Sequence, residues 1–129
     1  MMKTLEQQYA AAIYLKVDAF GQAHPGEDNK DRKRYGVMAQ KLPVLVRQAG
    51  LAQALAFVDA KATGANKEAY SQLLKDLAEV LREEDLLKKS REDEMPSYTR
   101  LTRHTLLALT WFKRFSQSIL GVDLTEGDD

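Results

Sequence analysis

Apolar residues return every three or four positions along this chain, and nowhere do they alternate for long enough to make a strand. A period near 3.6 lines such residues up on one face of a helix, so the pattern points to an all-α fold. Leu5, Tyr9, Ala12, Ile13, Val17 and Phe20 mark a first helix that Thr4 can cap and Gly21 can end. The loop GQAHPGEDN follows, with His24 as a solvated residue. A second helix starts near Asn29 or Asp31, carries Tyr35, Met38, Leu42, Leu45 and Ala49 on its core stripe, and stops at Gly50. Pro43 has no N–H to give to the ladder and is expected to bend this helix or split it. A short third helix turns Leu51, Leu55, Phe57 and Val58 inward, and a turn occupies Gly64 to Asn66. In the fourth, Tyr70, Leu73, Leu74, Leu77, Val80 and Leu81 are spaced for burial.

The stretch REEDLLKKSREDEM is weakly apolar and reads as a frayed continuation or a mobile connection, pinned by Leu86 and Leu87. Pro96 suits the first turn of a long last helix running to Gly121. The expected architecture is a single-domain bundle of five to seven helices over residues 1–121, followed by a disordered acidic tail over 122–129. A chain of 129 residues is long enough for one core. No apolar run approaches the ~20 residues of a membrane span, and the N-terminus lacks a signal-peptide layout. With no cysteine, a reducing compartment and hence the cytoplasm is expected.

Nineteen bases balance nineteen acids, yet the charges are segregated. Lys30 to Arg47 holds six bases against Asp31 alone, and Arg100 to Leu120 holds four with no acid. On the last helix Leu101, Thr105, Ala108, Leu109, Phe112, Phe115 and Ile119 form the core face. Arg100, Arg103, His104, Leu107, Trp111 and Arg114 fall within a second arc of about 100°. An aromatic among arginines can stack on a base, pack on a guanidinium or anchor a protein interface. Arg32, Lys33 and Arg34 sit in the first turns of the second helix, where the macrodipole prefers acids, so an anionic partner would offset the cost. The candidates for contact with the backbone of a polyanion are therefore Lys33, Lys41, Arg47, Arg100, Arg103 and Arg114; the interface candidates are His104, Leu107 and Trp111.

Bond-making chemistry has little to work with. Two histidines and no cysteine leave no obvious metal site, and the acidic runs at 83–85 and 92–94 are consecutive residues that splay apart. GANKEAY is not a phosphate loop. His104 stands among arginines with no acid to orient it. No catalytic residue, metal, cofactor or small-molecule substrate is expected. A helix-turn-helix DNA-binding regulator is the rival suggested by Gly50, but LAQALAFVDAKA is too apolar to read base edges.

The stretch YGVMAQKLPVLVRQAGLAQALAFVDAKA, from Tyr35 to Ala62, resembles the signature of the small all-helical subunit of the type III-B CRISPR effector, the Cmr complex or RAMP module. The most specific part is Leu42-Pro43, then Gly50-Leu51, then Phe57 and Lys61, although Ala49 stands where members often carry Asn. The Tyr70-to-Leu81 helix and Thr102, Leu106, Ala108 and Leu109 in the last helix are similar as well. The resemblance implies a non-catalytic, structural subunit for antiviral defence, whose copies stack along a filament and help hold the guide RNA and target RNA duplex. Its partners would be other effector subunits, further copies of itself and RNA, with no membrane, which makes the six polyanion candidates RNA-backbone candidates. A protein-interaction adaptor that never meets RNA is the alternative, and a metal nuclease using the acidic runs is the enzymatic one.

Overall fold

The computed structural model describes residues 2–124. Among them are six α-helices and no strand: α1 (Leu5–Ala23), α2 (Lys30–Ala49), α3 (Leu51–Lys61), α4 (Lys67–Leu81), α5 (Leu86–Glu92) and α6 (Ser97–Ser118), with a 3-10 turn at Gly64–Asn66. The caps follow from local chemistry. Thr4 and Gln7 form a reciprocal capping box at the start of α1, and the Asn29 side chain accepts from the Arg32 N–H at the start of α2. Gly50, at φ 88°, ends α2 and begins α3 in a left-handed conformation that disfavours a side chain. Pro43 interrupts the ladder without splitting α2, which runs unbroken through it.

The helix α2 is the centre of the bundle and packs most extensively on α6, which in turn packs on α1. Its burial exceeds the single expected stripe: Gly36, Val37, Ala39, Gln40, Pro43 and Val46 are buried alongside Tyr35, Met38 and Leu42. By contrast Ala49, expected inward, is exposed. Tyr35, Phe112, Ile13, Leu42, Leu51, Leu55 and Leu73 are among the largest fully buried side chains. Phe57 is a correction too. It points outward, 43% exposed, with the Lys61 ammonium 5.7 Å from its ring centroid. The reason is phase: it lies more than about 100° round α3 from the middle of the face that Leu51, Leu55 and Val58 bury.

The connection after α4 is more ordered than its composition suggested. Arg82 takes a left-handed conformation that closes α4, and Leu86, 3% exposed, roots α5 in the core. At the other end the body extends past Gly121, beyond the boundary expected there. Val122 is 3% exposed, lies against Gly36, and its carbonyl accepts from Gln40 Nε2 at 2.8 Å; Leu124 also packs on the core. The acids Glu126, Asp128 and Asp129 of the expected tail lie outside the described residues.

Candidate nucleic-acid interface

Helix α6 contains no Asp or Glu, and its outer face carries the predicted arginines. Arg100, Arg103 and Arg114 are exposed, and none of them forms an ion pair among the described residues. At 1.5 Å per residue the row from Arg100 to Arg114 runs for about 21 Å. Arg47 is exposed in the last turn of α2. The Tyr98 hydroxyl accepts from the Ala52 N–H at 3.3 Å, which ties the α2–α3 corner to the start of α6, so Arg47 belongs to the same end of the bundle as Arg100. Lys33 lies at the opposite end and is half-buried. Lys41 is half-buried and already engaged by an interaction of its own, which weakens it as a contact for a partner. The six bases therefore form a row on α6 with outliers, and not one cluster.

Two bases of the α2 start are satisfied inside the molecule. The Arg32 guanidinium donates to the carbonyls of Gly21 at 2.9 Å, His24 at 3.2 Å, Ile119 at 3.1 Å and Leu120 at 2.9 Å. Arg34 lies 3.4 Å from the Asp31 carboxylate one turn back. The offset expected from an anionic partner is thus supplied, for these two, by helix C-termini and a neighbouring acid. No sequence-local signal could have shown the Arg32 arrangement, since its carbonyls come from α1 and the end of α6.

The interface candidates divide similarly. His104 is half-buried against Tyr9 of α1, ring centroids 6.5 Å apart and nearly perpendicular. Trp111 and Leu107 are half-buried and pack on the core. The Trp111 ring lies 5.5 Å from Phe115 and 5.8 Å from the Arg114 guanidinium carbon, and its Nε1 is buried with no hydrogen-bond partner. Tyr14 of α1, which the sequence did not single out, meets Phe115 edge-on at 5.6 Å. His24 departs from its expected solvated loop setting. Its side chain is 16% exposed, stacks on Phe20 at 4.0 Å, and places Nδ1 3.0 Å from the Phe20 carbonyl oxygen and Nε2 3.7 Å from Glu68.

Elsewhere the acids are spread out. Glu83 pairs with Lys89 at 2.6 Å and Glu79 pairs with Lys16, which holds the Glu79 carboxyl below its ordinary range. Among the described residues no three His, Cys, Asp or Glu side chains come together to hold a metal ion. The α4–α5 cleft, about 820 Å³, is floored by Leu74, Ala78, Leu86 and Leu87 and rimmed by charges of both signs. The deepest titratable pair is Tyr35 and Asp76, whose oxygens lie 2.7 Å apart; burial pushes both groups up. It is locked between α2 and α4, with Gln72 donating to the other Asp76 oxygen at 2.8 Å. No helix is long and apolar enough to cross a membrane among the described residues.

A family model described as CRISPR-associated protein (Cas_Cmr5) matches residues 5–119. The CRISPR system Cmr subunit Cmr5 of Thermus thermophilus is 48% identical over 122 residues, spanning 92% of this chain and 98% of that relative. The crystal structure of a CRISPR-associated Cmr5 family protein from the same organism superposes with a TM-score of 0.76 at 49% identity, covering 91% of this chain and 97% of that one.

Proposed function

The chain belongs to the Cmr5 family of CRISPR-associated proteins, and on that premise we propose that it is a non-catalytic small subunit of an RNA-guided type III-B antiviral effector in the cytoplasm. Copies stack along the filament beside the other Cmr subunits and contact the guide–target RNA backbone through Arg100, Arg103 and Arg114, with Arg47 at the same end. The observation that carries this reading is the acid-free α6, whose outward arginines have no ion-pair partner among the described residues. A row of cations about 21 Å long suits a polyanion, because phosphate contacts need charge and spacing and no base-specific geometry. In a guided complex base pairing does the reading, so a subunit that contributes charge and shape is sufficient.

The test is retention of RNA by the assembled complex and by the isolated chain as salt is raised. Affinity should fall steeply with salt, and Arg100→Glu with Arg103→Glu should flatten the dependence, by about one unit of slope for each phosphate contact removed. Retention that ignores both salt and charge reversal would instead leave a protein-interaction adaptor.

A further inference from the structure

The surface between α1 and α6 carries, next to Arg114, aromatic rings that backbone contact does not use. Four side chains form an unbroken run of contacts: the Arg114 guanidinium lies 5.8 Å from Trp111, Trp111 lies 5.5 Å from Phe115, and Phe115 lies 5.6 Å from Tyr14. The run ends in the open. Tyr14 is 49% exposed, and its neighbour Leu15 is 67% exposed. A half-exposed tyrosine on a Phe and Trp base leaves stable apolar area in water, which asks for a flat, partly apolar cover.

Charge decides what kind of cover. Arg114 flanks the rings on α6, a helix without an acid, and Arg103 continues the row. On α1 the nearest acid, one turn beyond Tyr14, is Asp18, which accepts from Gln22 Nε2 at 2.7 Å. Aromatic faces beside an arginine that has no ion-pair partner among the described residues suit a π-faced group carrying negative charge, as in a nucleotide. An apolar plug from a protein would gain nothing from that arginine. We infer that Tyr14, Phe115, Trp111 and Arg114 form a stacking site for an unpaired nucleobase of RNA, with Arg114 placed to hold the adjoining phosphate. This rests on the RNA-contact reading above and adds a preference for single-stranded over duplex RNA at this spot.

Trp111 is the chain's single tryptophan, so its emission reports from the site itself. The full chain would be titrated at low salt with a single-stranded oligoadenylate and, separately, with a blunt RNA duplex. The single strand should change Trp111 emission, and the duplex should bind without that change. Tyr14→Ala should weaken single-strand binding by about tenfold and leave duplex binding alone, whereas Tyr14→Phe should bind as the parent does. Because Tyr14 is half exposed, its truncation leaves the core intact; Arg114→Gln provides a second variant, expected to weaken the single strand as well. Unchanged emission with the single strand, or equal affinity for Tyr14→Ala, overturns the stacking site. If the duplex still binds with steep salt dependence in that case, the backbone reading stands alone; if neither RNA binds, both fall. Emission that moves only when another Cmr subunit is added makes the patch a protein interface and also overturns it.

Discussion

The Arg32 guanidinium donates from Nε to the Leu120 carbonyl at 2.9 Å, across 88 positions of chain. Its other nitrogens reach Ile119, Gly21 and His24, so one side chain gathers the carbonyls that end α6 and α1. A cation at the N-terminus of its own helix is unfavourable by a few tenths of a kcal/mol. Four charge-assisted bonds to otherwise unpaired carbonyls outweigh that.

Arg32→Gln should therefore destabilise the chain by about 2 kcal/mol in chemical denaturation. Arg32→Lys should recover only part of the loss, because a single ammonium cannot reproduce the planar fork. Lys33→Gln, one residue on, is the control and should stay within about 0.5 kcal/mol. Equal effects at positions 32 and 33 would mean that the carbonyl contacts are not what stabilises this corner.

Two buried glycines should respond differently to a methyl group. At Gly36 an added Cβ would meet three Val122 carbons at 2.7–2.9 Å, whereas at Gly21 the nearest atom is the tip of Leu120 at 3.0 Å. Gly36→Ala is expected to cost about 1–3 kcal/mol and to loosen the segment around Val122. Gly21→Ala asks the buried Leu120 tip to give by only a few tenths of an ångström and gains helix propensity of up to about 1 kcal/mol, so it should cost less than Gly36→Ala. Thermal melts give the order, and limited proteolysis beyond Gly121 reports the loosening.

The Tyr35–Asp76 contact predicts a pH dependence with a definite sign. Burial holds the Asp76 carboxyl above its ordinary value, opposed in part by the hydrogen bonds from Tyr35 and Gln72. Between the ordinary value and the raised one, the folded state binds more protons than the unfolded state, so stability falls as pH rises. This contribution is fully present below the unfolded pKa and is lost through the folded one. Asp76→Asn, which cannot ionise, should remove that slope, and the parent should lose ground to the variant as pH climbs out of the acid range. Urea denaturation of both chains across that range checks it; parallel curves would show that Asp76 titrates alike folded and unfolded.

How much of this was legible in the sequence varies with the range of the interaction. The first-helix stripe and the cap at Thr4 needed only neighbours within a turn or two. The structure buries Tyr9, Ile13, Val17 and Phe20 as expected, while Leu5 at the start of the stripe is exposed. The corner at Gly50 was equally local, because a positive φ favours glycine wherever it occurs. The outward setting of Arg100, Arg103 and Arg114 also followed from helical phase once the core face of α6 was known.

Other features depended on which elements met. Periodicity names one apolar face, but α2 lies against both α6 and α4, so Gly36 and Gln40 are buried although nothing in their local pattern demanded it. Phe57 differs: it lies more than about 100° round α3 from the middle of the face of Leu51, Leu55 and Val58, so its outward setting was readable from helical phase. Arg32 looked like a cation awaiting an anion until the ends of α1 and α6 arrived beside it. The sequence by itself settled where most of the helices form, since backbone propensity and phase act over a few residues. It did not settle every end: α1 runs through Gly21 to Ala23, and α6 stops at Ser118. Which faces are covered, and which charges are left for a partner, was decided by tertiary packing, because burial and hydrogen-bond satisfaction are properties of residues brought together from distant parts of the chain.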